Sequence, residues 1–401
     1  MLFHENSLFK ALIYFTFTCP SFKNPKIMVL GILKEIKNER RVAMLPEGVA
    51  TLIKMNVSVL VENNAGLTAF ASNADYEEVG AKIDTKENVI LKSDLIVKIN
   101  PPTDDELKLL KEGEVLVAVL SPYYNGSLIK ELAAKNVTSF SFDVIPRTTR
   151  AQAMDILSSM ATVAGYKAVL TAANTLPKFF PMFMTAAGTI TPAKVLILGA
   201  GVAGLQAIAT ARKLGAVVEA FDVRAAVKEE VTGIGGKFIE VEGASDDKAA
   251  GGYAVEQSEE FKQKQAQAIH DHAVKSDVII CTAQIPWKKA PILLKKETVE
   301  AMKPGSVVID TAASTGGNCE LTKNNETIAH NGVTIIGNSF LPVDMPSDAS
   351  KMYGKNVINF LKLIITKEGN LNLNWEDDIV KGTAVTHNKE IVHEKVKSLI
   401  N

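Results

Sequence analysis

The feature that most constrains this chain is Gly199-Ala-Gly201-Val202-Ala203-Gly204, set between the apolar run Lys194-Val-Leu-Ile-Leu198 and a helical pattern. Strand, glycine turn and helix in that order suit a βαβ unit that brings its backbone against a pyrophosphate. Glycine permits the close approach, and the helix N-terminus supplies amide donors and a favourable dipole. Asp222 ends the next apolar run, close to the usual spacing of about 20 residues for the acid that takes the ribose hydroxyls. A carboxylate there accepts from a 2′-hydroxyl and repels a 2′-phosphate. NAD(H) is therefore expected over NADP(H), with Val223 and Arg224 following the acid rather than replacing it.

Around that turn the chain alternates strand-like and helix-like segments. Val195–Leu198, Val217–Phe221, Phe238–Val241, Val278–Cys281, Val307–Asp310 and Val333–Ile336 read as six strands of one series. An earlier series holds Val57–Val61, Leu95–Val97, Val115–Leu120 and Val137–Phe142, with helical patterns at Glu47–Met55 and Asp104–Lys111. Such alternation predicts an α/β fold: two doubly wound Rossmann-like domains with parallel sheets, joined by long helices. One helix is expected from Ala151 to about Phe180, near Pro146, Pro177 and Pro181, and another over Ala349–Ile365. The second helix should return to the first unit, which makes that unit discontinuous. The expected division is residues 28–150 plus 347–401 for the first domain and 151–346 for the second. Residues 1–27 read as an extension, with Met28 as an alternative start.

At 401 residues, two domains are the natural count. A net charge of -1, from 44 basic and 45 acidic residues, argues against a nucleic-acid partner. Cys19, Cys281 and Cys319 are too few for a disulfide framework or a thiolate zinc site, and no metal is expected. The apolar stretch Leu8–Phe17 is interrupted by Lys10 and falls short of the roughly 20 residues a spanning helix needs. Any membrane association is expected through partners.

A second constellation is Arg147-Thr-Thr-Arg150-Ala-Gln152-Ala-Met-Asp155-Ile-Leu-Ser158. If the helix runs through it, Gln152, Asp155 and Ser158 share a face, and amide, carboxylate and hydroxyl together could cradle a carboxamide. A capped helix with a solvated face is the plainer alternative. Gly243–Gln257 is long and rich in small residues, with Tyr253 behind Gly251 and Gly252, as in lids or disordered insertions. His270 and His272, on the polar helix that follows, are expected to face solvent.

These segments resemble a known family. PRTTRAQAMDILSSMATVAGYKAV, MTAAGTITPAKVLILGAGVAGLQAIATARKLGA, FDVRAAVKEEV, AGGYAVE and MKPGSVVIDTAASTGGNCE together resemble the NAD(H)-binding alpha subunit of proton-translocating NAD(P) transhydrogenase. The resemblance runs from Met28 to the end and is of the split form, with a separate first subunit. It implies that Arg147, Gln152, Asp155 and Ser158 surround the nicotinamide. It implies that Gly199, Gly201, Val202, Ala203, Gly204, Asp222, Val223 and Arg224 hold the adenosine half. Gly252 and Tyr253 would close over the cofactor, and Gln265 and Gln284 would line the site. The family's Thr-Ala-Leu-Ile-Pro-Gly is here Thr282-Ala-Gln284-Ile-Pro-Trp287, which leaves the contact at Gln284 open.

The implied activity is hydride transfer between NADH and NADP⁺ held on a beta subunit, coupled to proton movement. The implied assembly is a homodimer with the beta subunit and a small membrane alpha subunit, cytoplasmic and peripheral at the inner membrane. The runner-up is alanine dehydrogenase, a relative whose substrate arginine and lysine would map to Arg41 and Lys98. Its catalytic histidine would fall at Ser121, and a hydroxyl cannot replace an imidazole as an acid/base near neutral pH.

Overall fold

The computed structural model describes residues 28–243, 257–285 and 287–400. Its first sheet begins with β1 (Val29–Ile32), β2 (Ser58–Glu62), β3 (Lys82–Asp84), β4 (Leu95–Val97), β5 (Val115–Ala118) and β6 (Thr138–Ser141). They pair in parallel in the spatial order 3-2-1-4-5-6. After a small hairpin of β7 (Phe183–Thr185) and β8 (Gly188–Ile190), the second sheet follows. It holds β9 (Lys194–Leu198), β10 (Val217–Phe221), β11 (Lys237–Phe238), β12 (Val278–Cys281), β13 (Val307–Asp310), β14 (Thr327–His330) and β15 (Val333–Gly337). Their order is β11-β10-β9-β12-β13-β15-β14. The chain then returns to the first sheet, where β16 (Ala384–His387) lies antiparallel on β6 and β17 (Glu390–Ile391) antiparallel on β16.

The expected α/β architecture is present, with two corrections to the parallel sheets. Both carry antiparallel edges: β14 on the second, β16 and β17 on the first. β14 escapes a reading of the sequence because its side chains alternate between exposed and half-buried, so it shows no apolar run. The third strand of the second series shrinks to Lys237–Phe238. The central strands are apolar throughout because both faces are covered. Val278 and Ile280 of β12 enter one core, and Ile279 and Cys281 enter the other.

The helix expected from Ala151 to Phe180 is shorter. Thr149–Met154 forms a 3-10 turn, and the α-helix spans Ile156–Thr175, ending just before Pro177. Asp155 starts it as N-cap, accepting from the Ser158 N–H at 3.0 Å. A carboxylate that satisfies first-turn amides favours the cap over a helical interior. Among the described residues this helix alone has the length and apolar content of a membrane span. Here it packs between the units: a Cβ on Gly165 would lie 2.1 Å from the Ala203 carbonyl oxygen. The late helix runs Pro346–Ile364, with Pro346 in its first turn, and its Tyr353, Val357, Phe360 and Leu361 fill the core of the first sheet.

Candidate functional site

Both sheets present the ends of their strands to one cleft of about 1730 Å³. In a doubly wound sheet the binding crevice lies where the strand order reverses, here between β9 and β12. The turn after β9 supplies its floor. Gly199 has φ +100, a conformation open to glycine but strained for other residues. Gly204 sits beneath it: a Cβ there would lie 1.9 Å from the Gly199 carbonyl oxygen. Gly201 differs from both, since a Cβ there would meet nothing within 4 Å. Its face opens into the cleft, so the space in front is left for something other than protein. That is the arrangement a pyrophosphate over the N-terminus of Val202–Lys213 requires.

Asp222 closes one end. Its Oδ2 accepts from the Ala200 N–H at 2.7 Å, and the Arg224 guanidinium grips both oxygens, Nε at 2.9 Å and Nη2 at 2.8 Å. Arg224 is therefore committed to the acid. A ribose hydroxyl would join this carboxylate, whereas a 2′-phosphate would meet its negative charge.

Opposite the glycine turn lies the first turn of the connecting helix. The close Gly165–Ala203 contact brings it there. Gly165 is absent from the sequence-based candidates, although an isolated glycine within a helix commonly marks close packing. Arg147, Asp155 and Ser158 line the cleft. Ser158 Oγ donates to Asp155 Oδ2 at 2.7 Å. Gln152 does not join them: it is exposed in the 3-10 turn and lies outside the cleft lining. The shared face expected of Gln152, Asp155 and Ser158 fails because the helix begins only after Asp155. Of the remaining candidates, Val202, Ala203, Val223, Gln265 and Gln284 line the cleft. Gln284 donates to the Thr311 carbonyl at 3.2 Å. Gly252 and Tyr253 lie outside the described residues.

The wall formed by the first sheet is largely missing from the sequence-based candidates. Asp143 is held there by Ser141 Oγ, and burial raises its pKa above the usual carboxylate range. Tyr123 and the late segment with His393 and Lys395 complete it. His393 is half-buried, its Nδ1 accepts from the Val396 N–H at 3.3 Å, and burial lowers its pKa. These residues come from distant parts of the sequence and carry no local motif. His270 and His272 correct another expectation. Both are half-buried, bonded to Thr298 Oγ1 at 2.9 Å and Glu219 Oε2 at 2.6 Å, so they tie the polar helix down. Among the described residues no cluster could hold a metal ion.

Residues 31–164 match the N-terminal domain, and residues 168–394 the C-terminal domain, of the family described as alanine dehydrogenase/PNT. The chain belongs to the alanine dehydrogenase/PNT family. Within it, the chain is 44% identical to the Rhodospirillum rubrum protein named as the first part of NAD(P) transhydrogenase subunit alpha, covering 91% of this chain and 98% of that one. It is also 44% identical to NAD(P) transhydrogenase subunit alpha of Haemophilus influenzae, over 90% of this chain and 71% of the relative. A crystal structure of transhydrogenase from Sinorhizobium meliloti superposes with a TM-score of 0.84 at 41% identity, covering 91% of this chain and all of that one. The alanine dehydrogenase of Bacillus subtilis is more distant, at 29% identity over 92% of this chain and 94% of that one. The family is thus shared by two activities, and the site has to separate them.

Proposed function

We propose that this chain is the NAD(H)-binding alpha subunit of a proton-translocating NAD(P) transhydrogenase. The observation that carries this reading is the open face of Gly201 at the crevice between β9 and β12, with the Asp222 carboxylate beside it. Gly199, Gly201, Val202 and Ala203 would lie along the pyrophosphate. Asp222 would take the adenosine ribose, and Arg147, Asp155 and Ser158 would surround the carboxamide end. The nicotinamide itself supplies the hydride, which would pass with its two electrons to NADP⁺ on a partner subunit. The residues of this chain then need only bind, orient and exclude water, since the hydride step requires no general acid or base. On the same reading, residues 151–346 form the NAD(H) domain and 28–150 with 347–401 the other.

The alanine dehydrogenase reading needs free cations for a substrate carboxylate. Arg41 is instead paired with Glu39 at 2.6 Å, and Lys98 is fully buried against Glu106. Ser121 stands where that activity would need an imidazole. The partners follow from the transhydrogenase reading: a beta subunit holding NADP(H) and a small membrane alpha subunit, with this chain cytoplasmic and peripheral at the inner membrane through them. A homodimer is supported by β7 and β8, whose side chains are all exposed and include Phe183, Met184 and Ile190. A lone two-stranded hairpin is marginal in water and gains from being covered.

The test is a reconstitution. The chain should bind NADH far better than NADPH, reduce an NADP⁺ analogue from NADH once an NADP(H)-binding beta domain is added, and leave L-alanine untouched. Alanine oxidation by the chain alone, without stimulation by the beta domain, would reverse the assignment.

A further inference from the structure

The loop after β12 reaches across the cleft. Its ends are pinned to one side chain: Asn318, fully buried, accepts from the Ala283 N–H at 3.0 Å through Oδ1. Through Nδ2 it donates to the Ala283 and Pro291 carbonyls, each at 2.8 Å. Between these anchors stands Trp287, in the position that the family pattern gives to glycine. Its φ is +59, in the left-handed region that a bulky side chain avoids. Its indole packs on the ring of Tyr123, with centroids 4.4 Å apart and planes tilted by 42°. Tyr123 belongs to the loop after β5, in the other sheet, so this contact joins the two walls of the cleft. The Tyr123 hydroxyl is buried without a hydrogen-bond partner among the described residues. The ring is thus placed by its face and not by its polar end.

We propose that Trp287 is a positioning residue that clasps Tyr123 across the cleft and slows the release of bound NAD(H). The inference rests on the cofactor reading above. The β12–β13 half of a doubly wound sheet serves the second mononucleotide, so the clasp stands over the nicotinamide end. Both loop ends are tied to Asn318, Gln284 and the Ala290 N–H bond the Thr311 and Thr315 carbonyls, and Trp287 makes the contact with the ring on the opposite wall. A backbone conformation that disfavours tryptophan, kept in place by a cross-domain ring contact, is what a strained contact at a functional site looks like.

The experiment is stopped-flow release of NADH from the purified full chain, with Trp287→Gly, Tyr123→Leu, the double variant and Trp287→Phe. Each single variant should release NADH about three- to ten-fold faster, the range of an aromatic pair. The double variant should be no faster than either single one, because all three remove one contact. Trp287→Phe should retain most of the slow release. Glycine suits φ +59, so Trp287→Gly should melt no lower than the parent, whereas a merely structural tryptophan would lower the melting temperature. A ligand-free readout stands beside this. In a Trp375→Phe background Trp287 is the one remaining tryptophan, and with tryptophan excited selectively Tyr123→Leu should shift its emission to longer wavelength. Unchanged release in Trp287→Gly, or additive effects in the double variant, would overturn the clasp while leaving the cofactor reading intact. A parent chain that shows the Tyr123-dependent emission shift but binds no NADH would overturn the cofactor reading, and with it the role in release.

Discussion

The two sheets are the same device used twice with opposite outcomes. In each, strands one to five run in the order 3-2-1-4-5, and an acid at the second strand accepts an N–H from the turn after the first. In the second unit that bond is Ala200 N–H to Asp222 at 2.7 Å; in the first it is Lys34 N–H to Glu62 at 2.8 Å. The difference lies in what fills the crevice. After β9 comes a glycine turn whose middle residue faces open space. After β1 comes Leu33-Lys-Glu35, and Glu35 takes the N–H groups of Ile99 and Asn100 across the same gap. Lys98, directly after β4, stands where Thr282 follows β12, and it is buried against Glu106. One crevice is left for a ligand and the other is closed by the chain's own charges. Topology offers a place to bind, and the residues of the turn decide whether it is used.

The comparison is broken most severely if the charges of the first crevice prove to be a binding site. Lys98→Ala leaves the buried Glu106 and Glu35 without the cation that both face, and should lower stability by about 3–5 kcal/mol in urea unfolding. NADH affinity of the folded fraction should stay within about twofold, since the sites share no partner. Lost affinity with intact stability would mean that the first crevice touches ligand. The converse experiment is Gly201→Val. Its new Cβ meets no protein atom within 4 Å and its branches point toward the cleft, so the melting temperature should hold. NADH binding measured by titration should weaken about 100-fold, or ~2.7 kcal/mol. An unfolded variant would show that the open face belongs to packing.

The matched acids sharpen the contrast further. Asp222→Ser should narrow the preference for NADH over NADPH about tenfold, ~1.4 kcal/mol, in equilibrium titration. Glu62→Gln should leave that preference unchanged, because Glu62 accepts the Lys34 N–H in the first unit and does not line the cleft. Equal effects of the two would make the units alike in function as well as in topology.

The smallest effect is one of pH. Glu114 lies at the start of β5, at the opposite end of the strands from the cleft, and burial pushes its pKa up to about 7. One carboxylate oxygen accepts from the Lys111 N–H at 2.8 Å, and the other has no partner among the described residues. The unfolded chain releases this proton near 4.5, so the folded state holds more protons between there and 7. Stability is therefore lost as pH rises through that window. Glu114→Gln should raise the melting point at pH 8, by roughly 1 kcal/mol equivalent, and change little at pH 4. The NADH affinity at pH 8 should not follow. A stabilisation at both pH values would assign the effect to packing instead.

Much of the second unit is legible in the sequence because its signals are local. The glycine turn, the acid at Asp222 and five of its apolar strands are each set by neighbours in sequence: backbone reach, a strand end, burial on two faces. The first unit is legible only as alternation. Its closed crevice combines Glu35, Lys98 and Glu106, and no short motif announces a pair that forms across a sheet. Gln152 shows the limit most plainly. Its spacing to Asp155 and Ser158 suits one helical face, but Asp155 caps the helix, and a cap turns the residue before it onto a different path.

The sequence by itself determined the fold class and marked out the glycine turn and Asp222, since alternation and motif rest on residue types that are neighbours along the chain. Tertiary structure decided what faces that crevice. The approach of Gly165 to Ala203 brings the connecting helix onto the glycine turn, and Trp287 meets Tyr123 from the other sheet. Those contacts join positions far apart in the chain, and their partners are set by how two separately built layers pack together, which no local pattern encodes.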